Sequence, residues 1–148
     1  MSTRSTTHFY YTDPSNDPDA KPEAIVYRHH DGYPEGAGAD LLKFIEQVKK
    51  ECTGTSYGTR FNDPSYLSAK YLTFLVTEGY KYDRDTPLDF GGVGILSADP
   101  GDIEWRYVVV CDGDPTLYVQ RIGWNEDDGP LEFVEDAINS RLAEQSKV

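Results

Sequence analysis

The chain has 148 residues, about one domain's worth, and a chain of that length buries enough surface to fold without a disulfide framework or a structural metal. Apolar residues make up only 38%, but the aromatic share of 13%, led by 11 tyrosines, excludes a disordered chain. A net charge of −12 excludes a duplex-binding protein, which needs a basic stripe, and no run approaches the roughly 18 apolar residues of a membrane span.

Residues 1–7, MSTRSTT, lack the apolar stretch of a leader, so a soluble cytoplasmic protein is the expectation. His8 to Tyr11 reads as a short edge strand or as nothing regular. Residues 13–24, DPSNDPDAKPEA, hold three prolines and no large apolar residue and read as a linker, which makes 1–24 a partly flexible arm on a single domain spanning 1–148. Ala24 to His29 is a strand candidate. The run from Asp31 to Gly38 is dense in turn formers. Asp40 then reads as the N-cap of a helix ending near Glu51, with Leu41, Phe44, Ile45 and Val48 on its buried face.

Asp63-Pro64 is a cap followed by proline at the first helical position, and predicts a helix to Glu78 with Gly79 as its stop. Leu67, Tyr71, Phe74 and Leu75, with Tyr66, form its apolar stripe. Tyr80 to Phe90 is irregular. Three strands follow, Gly92 to Ala98, Ile103 to Cys111 and Thr116 to Trp124, joined by the turns Asp99–Asp102 and Asp112–Pro115, and these predict a β-meander. In the second strand Ile103, Trp105, Tyr107, Val109 and Cys111 share a face. Pro130 opens a last helix bearing Leu131, Val134, Ile138 and Leu142. The order β-α-α-β-β-β-α predicts an α+β fold, a mostly antiparallel sheet with helices on one face. Cys52 and Cys111 are too few for a disulfide framework and read as buried thiols in a reducing compartment.

The segment Tyr27 to Gly38, YRHHDGYPEGAG, is the chain's most unusual. Its glycines lead toward a helix, where backbone N–H groups can face an anion. Arg28 supplies a forked cation for phosphate or carboxylate, and Tyr33 a ring to stack on a base or sugar. Against this, Asp31, Glu35 and Asp40 repel an anion, and the glycine spacing matches neither the P-loop nor the dinucleotide fingerprint. The competing reading is a rigid turn in which Asp31 caps amides and Arg28 pairs with a carboxylate. The expected ligand residues are Arg28, His30, Asp31, Tyr33 and Glu35, completed by a second cation such as Arg60 or Arg106.

His29 and His30 adjoin on a strand, so their side chains are expected on opposite faces, unable to share a metal. A His30/Asp31 general base lacks a nucleophile context. The turn aspartates Asp99, Asp102, Asp112 and Asp114 do not form a calcium loop. Trp105, Tyr107, Tyr118 and Trp124 read as packing rather than a stacking platform, and Arg106 and Arg121 either pair with Glu104 and other carboxylates or line a pocket. No catalytic residue, metal or cofactor is expected.

Tyr27 to Gly36 resembles a motif of small proteins from bacteria and their phages that have an aromatic residue at the position of His30. Gly101 to Tyr107, GDIEWRY, resembles their second signature, on a sheet strand. No activity is established for them. Their phage setting implies an accessory or anti-defence role, such as sequestering a signalling nucleotide. The leading expectation is a non-catalytic binding protein holding a small anionic, nucleotide-like ligand at the Arg28–Gly38 loop. The alternative is an acidic module for a basic protein partner, or a nucleic-acid mimic, since residues 99–148 carry 12 acidic and 4 basic groups. A hydrolase is a third reading, and a homo-oligomer stays open.

Overall fold

The structure, a computed structural model, describes residues 2–52, 62–78, 91–123 and 127–147. The fold is α+β: among the described residues, a six-stranded, mostly antiparallel sheet with three α-helices. The strands are β1 (Ser5–Tyr10), β2 (Ala24–Arg28), β3 (Val93–Leu96), β4 (Trp105–Val110), β5 (Thr116–Arg121) and the two-residue β6 (Glu132–Phe133). The helices are α1 (Ala39–Cys52), α2 (Pro64–Glu78) and α3 (Val134–Gln145).

The sheet order is β3-β2-β1-β4-β5-β6, which corrects two expectations. First, β1 is a central strand, antiparallel to β2 and parallel to β4, and all six of its residues are buried. Ser5-Thr6-Thr7 lacks apolar alternation, so only burial between two neighbours makes it a strand. The turns after it are local: Asp13 Oδ1 accepts from the Ser15 amide at 2.8 Å and Asp17 Oδ1 from the Asp19 amide at 3.0 Å. They are successive Asx turns at the two Asp-Pro steps.

Second, β3, β4 and β5 are not a meander. β3 pairs with β2 at the sheet edge, two strands away from β4. Tracing the pairings through β2 and β1 makes β3 parallel to β4. A parallel pair cannot be joined by a hairpin turn. Residues 97–104 must instead run back along the sheet. The β4–β5 hairpin does form as expected, from Trp105↔Arg121 to Val110↔Thr116.

The core lies between the sheet and the helices. Phe9, Val26, Tyr107, Val109 and Val119 come from the strands, and Leu41, Phe44, Val48, Leu67, Tyr71 and Leu75 from α1 and α2. The helical stripes read from sequence for α1 and α2 are therefore the stripes that pack, except that Tyr66 is 50% exposed at the start of α2 rather than part of the core. Fully burying side chains of this size is worth about 1.5–3 kcal/mol each. Asp63 caps α2 through Oδ1, which accepts from the Ser65 amide at 2.9 Å. Asp40, expected as a cap, instead lies inside α1, because a π-helical turn over Pro34–Gly38 feeds the chain into that helix.

α3 begins at Val134, after β6, rather than at Pro130. Leu131 joins a small second cluster with Tyr10, Val108 and Val110 on the sheet's other face, and Leu142 is exposed. Among the described residues no helix is long and apolar enough to cross a membrane. Gly79, Tyr80 to Phe90 and Trp124 to Glu126 lie outside the described residues.

Candidate functional site

The Tyr27–Gly38 segment is tied to the body of the protein at almost every residue. Arg28 ends β2 facing the helices, with its side chain 7% exposed. Its Nε donates to the His30 carbonyl at 2.8 Å and its Nη1 to Asp40 Oδ2 at 2.7 Å, and the buried Tyr71 hydroxyl hydrogen-bonds to it as well. Of the two readings of this arginine, the structural one describes its contacts, with Asp40 as the carboxylate in place of Asp31 or Glu35.

The loop amides are also committed. Gly32 donates to Thr3 O at 2.9 Å, Gly36 to Tyr33 O at 2.9 Å and Ala37 to Asp31 O at 2.9 Å. The Tyr107 hydroxyl, buried under the loop, donates to Gly32 O at 2.8 Å, and the Gly38 amide hydrogen-bonds back to that hydroxyl. Asp31 takes the left-handed conformation, φ 55°, and accepts from the Tyr33 hydroxyl at 3.2 Å. Glu35 accepts from Arg141 Nε and from Gln145 Nε2 at 2.7 Å. Burial alone would raise its carboxyl, but these α3 donors hold it below its ordinary value.

His30 is exposed and its Nδ1 lies 3.2 Å from Ser2 Oγ. Because β2 ends at Arg28, His29 and His30 are not held to opposite strand faces, and their rings meet edge to face at 4.7 Å. Among the described residues no group of three or more His, Cys, Asp or Glu is placed to hold a metal ion. Arg60 lies outside the described residues.

The remaining expected residue, Arg106, is on the other side of the sheet. Arg28 pairs with Ser5, and Ser5 with Trp105, so Arg106 faces away from the helices. The expected pocket joining Arg28, Tyr33 and Arg106 is therefore divided by the sheet itself. Arg121, the other arginine of the hairpin, stays on the helical side with its guanidinium 5.3 Å from the Trp105 ring, and Arg141 sits 5.2 Å from the same ring.

Arg106 lines a cavity of about 380 Å³ with His8, Tyr10, Lys21 and Asp99, roofed by the returning 97–104 segment. Its Nη2 is bonded to Asp99, and its Nη1 lies 3.2 Å from Gln120 Oε1 and 3.8 Å from Asp128 Oδ2. Its Nε is buried with no hydrogen-bond partner among the described residues. Burial would raise the Asp99 carboxyl, but the Gly101 amide and Arg106 hold it below its ordinary value. His8 is 4% exposed, with Nε2 2.9 Å from Thr6 Oγ1. Burial, with Arg106 adding to it, lowers its pKa to about 4, so it is neutral at pH 7. Burial pushes the Tyr10 hydroxyl up.

Lys21, Asp99 and His8 are absent from the residue set expected by sequence, because they reach this pocket from a proline-rich loop, a turn and a strand that pair only in the folded sheet. Two roomier grooves, of about 600 and 620 Å³, lie on the helical side. The first is lined by α1, α3 and the Asp114–Leu117 stretch and the second by α1 and α2, and neither lining holds a buried cation, so they are a poorer fit for a charged small molecule. No family model, no curated protein and no solved structure matches this chain.

Proposed function

We propose that the protein is a non-catalytic binding protein for a small anionic ligand, and that the ligand sits in the Arg106 pocket rather than at the Arg28–Gly38 loop. The observation that carries the reading is the placing of the Arg106 and Lys21 side chains together on one cavity lining. Cationic N–H groups make charge-assisted hydrogen bonds to carboxylate and phosphate oxygens, about twice as strong as neutral ones. The cavity lining also carries two cations, Lys21 and Arg106, against the single carboxylate of Asp99, in a chain whose net charge is −12. Its volume is in the range of small-molecule sites.

Binding fits better than catalysis. General acid–base work needs a group titrating near the operating pH. The pocket's His8 is held down at about 4 and its Tyr10 is pushed up, away from neutrality in both directions.

The test is a thermal-melt series at low salt with inorganic phosphate, simple mono- and dicarboxylates and nucleoside monophosphates. A ligand at about 100 times its Kd adds about 2.7 kcal/mol, which raises the melt by roughly 5–10 °C for a chain of this size. Lys21→Ala, at an exposed position, should weaken the shift without lowering the unliganded melt. A panel in which no anion moves the wild-type melt, or in which Lys21→Ala and Arg106→Met respond as the wild type does, would overturn the reading.

A further inference from the structure

We propose that the ligand carries a doubly charged phosphate group, free or esterified, and that Asp99 turns simple monocarboxylates away; both statements rest on the reading of the Arg106 pocket as an anion site. Asp99 comes from the segment that roofs the cavity and is bonded to Arg106 Nη2, so the pocket already contains a carboxylate of its own. That carboxylate is ionised at pH 7. It holds the place on the guanidinium fork that a ligand's carboxylate would take.

A tethered group competes at an effective concentration of roughly millimolar. A free monocarboxylate that replaces Asp99 exchanges one charge-assisted hydrogen bond for another of the same kind and gains little. A phosphate dianion brings a second charge and a third acceptor oxygen, and Lys21 stands on the same lining to meet them. Lys21 is exposed, and His8, neutral at pH 7, adds no charge. The other carboxylate near the guanidinium, Asp128, lies 3.8 Å from Nη1, the nitrogen shared with Gln120.

Asp99 can leave without disturbing the sheet. Residues 97–102 are all exposed, between Leu96 at the end of β3 and the fully buried Ile103. Among the described residues no backbone hydrogen bond ties 97–102 to the sheet. Side chains hold the segment instead: Asp99 on Arg106 and, at its far end, Asp102 on Arg4 at 3.0 Å. Asp99 Oδ1 accepts from the Gly101 amide at 3.0 Å, and Gly101 takes φ 81°, so this turn is closed on itself and can swing as a unit.

The probes are matched pairs, inorganic phosphate against acetate and phenyl phosphate against benzoate, titrated by calorimetry at low salt and about pH 8, where the phosphates are dianions. Wild type should bind at least one phosphate probe, about tenfold more tightly than its carboxylate counterpart, for the added charge-assisted hydrogen bond. Which of the two phosphates binds better tells free ion from ester. Asp99→Asn keeps an oxygen for the Gly101 amide but offers Arg106 no charge. It should tighten acetate and benzoate about tenfold, the scale of one hydrogen bond to a charged group. Asp99→Ser can close the same turn through Oγ and should act alike, which covers the case of a poorly folded first variant. Asp128→Asn removes a charge near the same guanidinium without freeing the Asp99 position, and should tighten the carboxylates far less. Carboxylates bound by wild type as tightly as phosphates overturn the proposal and leave the anion site standing. So does a gain from Asp128→Asn equal to that from Asp99→Asn, no gain from either Asp99 variant while wild type binds phosphate, or binding seen only once Asp99 is changed. If no probe binds wild type or the Asp99 variants, the anion site itself falls and the proposal with it.

Discussion

Arg28 and Arg106 lie on opposite faces of one sheet: Arg28 pairs with Ser5, Ser5 with Trp105, and Arg106 is the next residue along β4. A single strand, β1, lies between their strands, yet the two guanidiniums meet different surroundings. Arg28 is enclosed by Asp40, the His30 carbonyl and Tyr71 under the helices. Arg106 lines a cavity on the other face, bonded to Asp99 and Gln120. The first is therefore expected to govern stability and the second binding.

Arg28→Ala should destabilise the protein by roughly 2–3 kcal/mol, the range for losing hydrogen bonds to a charged group and stranding their partners. Arg28→Lys keeps the charge but not the planar fork and should recover only part of that. Denaturant unfolding of the two variants checks this. A change within about 0.5 kcal/mol for Arg28→Ala would contradict the structural role.

The Tyr107 hydroxyl pins the loop through Gly32 O, so Tyr107→Phe should cost about 1–2 kcal/mol by leaving a buried carbonyl short of a donor. Gly32→Ala should cost more. A Cβ there would come within 2.7 Å of the Thr3 carbonyl and 2.8 Å of Ser5 Cβ, and the first of these is backbone that cannot swing aside. Melting temperatures of the two variants rank them, and Gly32→Ala at or above Tyr107→Phe would count against this account of the loop.

His8 sets a pH dependence. Its pKa falls from 6.5 in the unfolded chain to about 4 in the fold. Between those values the unfolded state binds more protons, so stability rises with pH across this window and is lost as pH falls through it. The loss is complete near pH 4 and amounts to about 3 kcal/mol. Asp99 and Glu35, whose carboxyls are lowered from 3.8 and 4.5, lose their contributions mainly below the window. His8→Gln should flatten the stability profile between pH 6.5 and 4, as measured by urea unfolding at stepped pH. An unchanged slope would remove His8 as its source.

Cys111 is 4% exposed, and burial, with Asp63 adding to it, pushes its thiol up to about 12. Since the thiolate is the nucleophile, Cys111 should resist alkylation in the native protein at pH 7–8 and react readily in denaturant. Mass spectrometry after brief labelling, resolved by peptide, reads the site directly. Fast native labelling at Cys111 would contradict its burial.

The sequence by itself determined the fold class and the inner faces of α1, α2 and β4. Leu41, Phe44, Ile45 and Val48, then Leu67, Tyr71, Phe74 and Leu75, repeat at helical spacing, and Trp105, Tyr107, Val109 and Cys111 alternate. These are local periodicities, written along the chain. The Asp63 cap is equally local and formed as read. Which strands neighbour one another is not local. Ser5 to Tyr10 carries hydroxyl side chains that mark a strand only once β2 and β4 flank it. The Asp99–Asp102 run has turn chemistry whether it closes a hairpin or, as here, joins two parallel strands across the sheet. Strand order in turn sets which face each residue serves. It placed Arg28 under the helices and Arg106 in a cavity with His8, Lys21 and Asp99, residues that lie far apart in the chain and meet only because β1 inserts between β2 and β4.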